Sequence, residues 1–241
     1  MTCRGLIFGF VAIAVLTGVA GPGWGQELAT SAGDRETRAR FFGEFAIVDY
    51  DAIPKNAEAN ELRRLKNQRY DNKNWVLDEP DYETEWIKRH LTLQPPSVFP
   101  VDESDVIVTG LVTTGSAHLS NDKTGVYSEY GVRIEHVLKN SSAQEMRPGS
   151  IVTVDRDGGA VRYANGQKVA YMLAGKKLPS VGALYVFFLL DGKKNPNFEI
   201  VTLYKLTVDS VVPVDAGSFE ELKGMGKTDF IKVVQQRLEK P

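Results

Sequence analysis

Polar and apolar residues alternate most regularly between Val126 and Lys139. Val126, Ser128, Tyr130, Val132, Ile134, His136 and Leu138 share one face there, and Tyr127, Glu129, Arg133, Glu135 and Lys139 share the other. The pattern predicts a strand with one buried and one wet face. A strand this long exceeds the usual run of about 5–6 residues, so it has to bend, and Gly131 offers the place. A shorter strand is expected before it, from Asp105 to Thr113. Others should follow at Ser150 to Arg156, Ala160 to Tyr163, Gln167 to Leu173, Ala183 to Leu190, Phe198 to Tyr204 and Leu206 to Pro213. The run Ala183 to Leu190 is apolar almost throughout and should be central, covered on both faces.

The connections carry turn chemistry. Asp157-Gly158, Asn165-Gly166 and Asp191-Gly192 tolerate positive backbone φ, which predicts hairpins and an antiparallel meander. The loop Asn121 to Gly125 reads as another hairpin tip. Helical periodicity appears in three places. Asn56 to Arg69 carries a thin apolar stripe of Ala57, Leu62 and Leu65, and Glu83 to Leu91 has Trp86, Ile87 and Leu91 as packing residues. After Gly217, Thr228 is a candidate N-cap for a helix with Phe230, Ile231, Val234 and Leu238 on one face. Residues 26–103 are otherwise polar and punctuated by Pro54, Pro80, Pro95, Pro96 and Pro100, as in an arm; Trp75, Trp86, Phe99 and Val101 would cover one end of the folded core.

The first twenty-five residues change the setting. Arg4 followed by the apolar run Leu6 to Ala20 has the form of a secretory leader, too short and too interrupted by Gly9 and Gly18 to favour a retained span of about 20 residues. Cleavage is expected after Ala20 or after Gly25. Either cut removes Cys3, the only cysteine, leaving a chain without disulfide, thiolate nucleophile or sulfur-ligated metal. An export signal with no cysteine to oxidise suits a bacterial envelope, and stability must then come from packing. The formal net charge of -2 disfavours binding to nucleic acid through phosphate neutralisation. The cluster Arg63, Arg64, Lys66 and Arg69 is answered by Asp71, Asp78, Glu79 and Asp81, as on a solvated mixed-charge face.

Short strands, a long bent second strand and a closing helix predict a mainly β fold. The expectation is a small antiparallel OB-like barrel over 104–215, with an N-terminal arm over 26–103 and a C-terminal helix over 216–241; a sandwich is the alternative. The stretches Ser104 to Val112, Leu119 to Glu129 and Val137 to Asn140, with Gly158-Gly159, Val161-Arg162, Val181-Gly182 and Tyr185 to Leu189, resemble a group of uncharacterised secreted bacterial proteins. The resemblance covers residues 71 to 213. It implies an exported protein whose β core is similar to OB-like and netrin-module barrels. Netrin-module members inhibit proteases through an N-terminal cysteine wedge, which this chain lacks, so that activity does not carry over.

Candidate chemistry is sparse. His90, His118 and His136 are the only histidines; a hairpin near Lys123 sets His118 opposite Ser128 and leaves His136 about 26 Å further along the strand, too far for a shared zinc. His136 then reads as a core histidine. Asp155 and Asp157 point the same way and could serve a calcium ion or an acid/base pair, but a turn initiator at Asp157 with a solvated flank at Asp155 is the simpler account. Ser116 beside His118 lacks the strand-to-helix elbow that exposes a nucleophile. No metal and no cofactor is expected. What remains is a binding surface on the wet face of the long strand, formed by Tyr127, Glu129, Arg133 and Glu135. The sequence therefore points to an exported, non-catalytic interaction module of the envelope, whose partner is a protein, peptide or polysaccharide. An extracytoplasmic hydrolase is the alternative.

Overall fold

The computed structural model describes residues 32–52, 57–73, 87–90, 99–192, 197–216 and 222–239, so the leader expected at 1–25 lies outside the described residues. The fold is mainly β. In chain order the elements are α1 (Ala32–Gly43), β1 (Ile47–Asp49), α2 (Ala57–Gln68), β2 (Ile87–His90), β3 (Val106–Leu119), β4 (Val126–Asn140), β5 (Ile151–Asp157), β6 (Gly159–Arg162), β7 (Lys168–Leu173), β8 (Leu184–Asp191), β9 (Phe198–Leu206), β10 (Val211–Pro213) and α3 (Lys227–Leu238). One sheet runs β10-β9-β5-β4-β3-β8, and β8 returns to pair with β9, which closes a ring of hydrogen bonds. Every pairing in the ring is antiparallel except the short β5–β9 contact, where Val154 faces Phe198 and Asp155 faces Glu199.

The alternation along β4 holds at first and then changes phase. Tyr130, Val132 and Ile134 point into the ring with Val106, Val108 and Val112 of β3, and the next inward residue of β4 is Val137 rather than His136. The ladder opposite β3 skips a residue between Ile134 and His136, and this bulge turns His136 out to solvent. His136 is therefore a surface residue and not the expected core histidine. Gly131, the expected bend point, is a site of close approach: a Cβ there would sit 2.5 Å from Thr114 Oγ1, beside another register shift between Val112 and Thr114. β8 is covered on both faces as its apolar run requires. Tyr185, Phe187 and Leu189 fill the ring, while Val186 and Phe188 face Tyr204, Phe230 and Val234 on the α3 side. Phe99 and Val101 join that second cluster, with the Phe99 ring 5.6 Å from Phe230.

Several expected elements are corrected. Ile87–His90 is a strand and not part of a helix, because it pairs in parallel with β7; the remainder of that segment, with Trp75 and Trp86, lies outside the described residues. The N-cap of α3 is Gly226, with Thr228 inside the first turn. Leu206 closes β9, and a turn in which the Thr207 N–H donates to the Ser210 carbonyl separates it from β10. Asp157-Gly158 makes a corner rather than a hairpin: Gly158 has φ +112° and the chain leaves the ring there for a second sheet, ordered β1-β6-β7-β2. Asn165-Gly166 does form the β6–β7 hairpin. The second sheet depends on the arm, which supplies both of its edge strands by parallel pairing. Among the described residues no helix is long and apolar enough to cross a membrane.

Candidate functional site

α2 is made of good helix formers, and its orientation is the unexpected feature of the molecule. Leu62 and Leu65, the expected packing stripe, are 61% and 52% exposed. The helix instead turns Arg63, Lys66 and Asn67, followed by Arg69 and Tyr70, towards the outer surface of β4, β5 and β9. That surface is acidic. Leaving a buried carboxylate unpaired costs several kcal/mol, more than the roughly 1.5–3 kcal/mol gained by burying a leucine, so the charges set the rotation of the helix.

Glu129 is the hub. Its Oε1 accepts from Asn197 Nδ2 at 2.7 Å and Lys66 Nζ at 3.3 Å, with Arg63 Nη1 at 2.9 Å, and its Oε2 lies 3.3 Å from His118 Nε2. Burial opposes ionisation here, but the His118 hydrogen bond and the charges of Arg63 and Lys66 outweigh it and hold the carboxyl below the ordinary glutamate range. Asp155, fully buried, receives Arg69 Nη1 at 3.4 Å, and the same guanidinium pairs with Glu199. Burial dominates at Asp155 and raises its carboxyl above the usual aspartate value. Lys73 Nζ reaches Asp157 at 3.3 Å. The Tyr127 hydroxyl accepts from Arg63 at 2.9 Å and donates to Asn67 Oδ1 at 2.8 Å. The end of the helix is also locked to the β3–β4 hairpin tip: Asp71 accepts from the Asn121 and Asp122 backbones, and Asp122 accepts from the Asn72 N–H.

The residues proposed for binding thus fall in two places. Tyr127 is fully buried and Glu129 is 7% exposed, both beneath α2, so neither lies on a wet face. Arg133 is exposed and Glu135 half-buried, further along β4 beyond the helix contacts. Among the described residues, Arg63, Lys66 and Arg69 pair across the fold with Glu129 and Asp155, and Arg64 bonds to Glu61 and is exposed; Asp78, Glu79 and Asp81, expected to answer the cluster, lie outside the described residues. Asp155 is buried and not a solvated flank. His118 stands opposite Tyr127, one residue from its expected register, and His136 opposite Thr109, so the two remain well apart. His90 is on β2, and its side chain lies outside the described residues. Among the described residues no cluster of three or more histidine, cysteine or carboxylate side chains could hold a metal ion.

Ser116 Oγ lies 2.9 Å from His118 Nε2, the same nitrogen that faces Glu129. A proton on Nε2 given to Glu129 leaves no lone pair there to accept the serine proton, unlike a triad in which acid and nucleophile occupy opposite nitrogens. A cleft of about 380 Å³ opens beside this group, lined by Asp49, Arg63, Asn67, His118 and Lys123 among others. A larger one, about 600 Å³, lies on another side, between the end of α1 and the segment after β7. This cleft is not legible in the sequence, because α1 carries its Phe41 and Phe42 at one end of an otherwise polar helix, without an amphipathic stripe. No family model matches the chain, and no curated protein matches it.

Proposed function

We propose that this protein is an exported, non-catalytic binding module of a bacterial envelope, built on an OB-like barrel and related to the uncharacterised secreted proteins it resembles. The five ring strands support that class: a three-stranded meander, β3 to β5, is followed by the β8–β9 hairpin, whose last strand lies parallel to β5. The observation that carries the non-catalytic reading is the state of Glu129. Its oxygens are taken up by Arg63, Lys66, Asn197 and His118, which leaves this acid serving the α2 contact instead of a substrate. The leader, with its expected cut after Ala20 or Gly25, supports a periplasmic or secreted location.

The hydrolase reading keeps one specific observation, the 2.9 Å approach of Ser116 to His118. The two readings separate on turnover of p-nitrophenyl acetate by the purified protein and its Ser116→Ala and His118→Ala variants. The binding-module reading expects one background rate for all three. Saturable turnover lost in both variants would establish the hydrolase instead.

A further inference from the structure

We propose that the 600 Å³ cleft beside α1 binds a small amphipathic anion, one carboxylate on an aliphatic body. The inference rests on the binding-module reading and names the ligand class. The volume is within the roughly 300–1,000 Å³ range of small-molecule sites. Phe41, Phe45 and Leu178 line the cleft, giving the apolar body its contact surface.

Charge supplies the complement. Lys176 and Lys205 line the cleft, and Glu44 is the only acid among its described lining residues. Lys176 is half-buried, and no carboxylate is within ion-pair distance of its ammonium among the described residues. The two acids whose fields reach it are engaged elsewhere: Asp215 with Arg156 and Asp157 with Lys73. Burial consequently lowers the Lys176 pKa from its ordinary value, helped by the Arg156 charge, and a bound carboxylate would supply the missing counter-charge.

The wall carrying Lys176 is fixed before any ligand arrives. Arg156, 2% exposed, donates from Nη1 to the Lys177 carbonyl at 2.6 Å and from Nη2 to Asp215 Oδ2 at 2.5 Å. The Lys177 N–H in turn donates to Asp215 Oδ1 at 3.3 Å, and the Ala216 N–H to the Gly175 carbonyl at 2.6 Å. One buried ion pair therefore holds the segment after β7 against the segment after β10, and a cleft held in this way loses little freedom on binding.

The test is calorimetric titration of the purified protein with dodecanoate, and separately with dodecyltrimethylammonium, which keeps the chain and inverts the head. One dodecanoate site is expected, weakened about tenfold or more in Lys176→Met and in Lys205→Glu, with no saturable binding of the cation. Near-ultraviolet circular dichroism checks that each variant is folded, and two substitutions on different segments guard against the loss of either. Absent dodecanoate binding, equal binding of both amphiphiles, or undiminished affinity in both folded variants would overturn the inference. None of those results touches the binding-module reading, which falls only to serine- and histidine-dependent ester turnover.

Discussion

The Tyr70 ring lies flat on Tyr127, with centroids 3.9 Å apart and planes 8° from parallel. One tyrosine follows α2 and the other is the second residue of the long strand β4, so this stack is the apolar centre of an otherwise charged helix-to-sheet contact. Arg69 and Lys73 stand over the Tyr70 ring, 5.7 and 5.6 Å from its centroid, as cation–π partners. Gly125 permits the approach, since a Cβ there would meet the Tyr70 carbonyl at 2.5 Å.

Tyr70→Ala should therefore undock α2 from the ring. A loss of roughly 3–5 kcal/mol is expected from removing a large buried aromatic side chain, read by urea unfolding. A loss below about 1 kcal/mol would show that the helix contributes little to the fold.

Acid should weaken the same contact through Glu129. Its folded-state pKa lies below the unfolded value of about 4.3, so its stabilisation is present above that value and is lost as pH falls towards the folded one. Asp155 works in the opposite direction: its folded pKa is raised, so its cost near neutrality diminishes as it protonates on acidification. Glu129→Gln leaves Arg63 and Lys66 without their carboxylate and should cost about 3–5 kcal/mol at pH 7. Urea midpoints measured from pH 7 to pH 3 should fall less steeply in this variant than in the wild type. Parallel curves would remove Glu129 from the acid response.

The Arg156–Asp215 pair, with side chains 2% and 1% exposed, should behave as a buried ion pair. Asp215→Asn is expected to cost about 3–5 kcal/mol and to speed hydrogen exchange at the Lys177 amide, which bonds to this carboxylate. Combining Arg156→Met with Asp215→Leu should recover much of the loss, because no unpaired charge then remains buried. A double variant as unstable as the sum of its singles would contradict that account.

The leader expected from the sequence makes a separate prediction. Expressed in a Gram-negative host, the protein should be recovered from the periplasm with Gly21 or Gln26 as its first residue. Amino-terminal sequencing that finds Met1 on protein in the cytosolic fraction would overturn the export reading.

The strands from β4 to β9 are legible in the sequence because alternation and turn residues act over a few neighbours, whereas β3 runs on to Leu119, past its expected end at Thr113. Val126 to Lys139 announces β4, and Asn165-Gly166 announces the hairpin after β6. The phase change at His136 is not legible, since a bulge depends on the register of the facing strand. The parallel pairing of Ile87–His90 with β7 joins segments far apart in the chain and leaves only a short, ambiguous local pattern. The binding residues divide in the same way: β4 places Tyr127 and Glu129 on a common outer face, but only the docked helix decides that this face is covered.

By itself, the sequence determined a mainly β chain, its strand periods and its terminal helix, all properties of local pattern and composition. The tertiary structure alone decided that the ring closes, that the arm supplies strands to a second sheet and that α2 turns its cations inward while Leu62 and Leu65 face water. The reason lies in the range of the forces. Alternation and turn preference are fixed by adjacent residues, whereas a buried Glu129 or Asp155 must find its counter-charge wherever folding brings one, here more than sixty positions back along the chain.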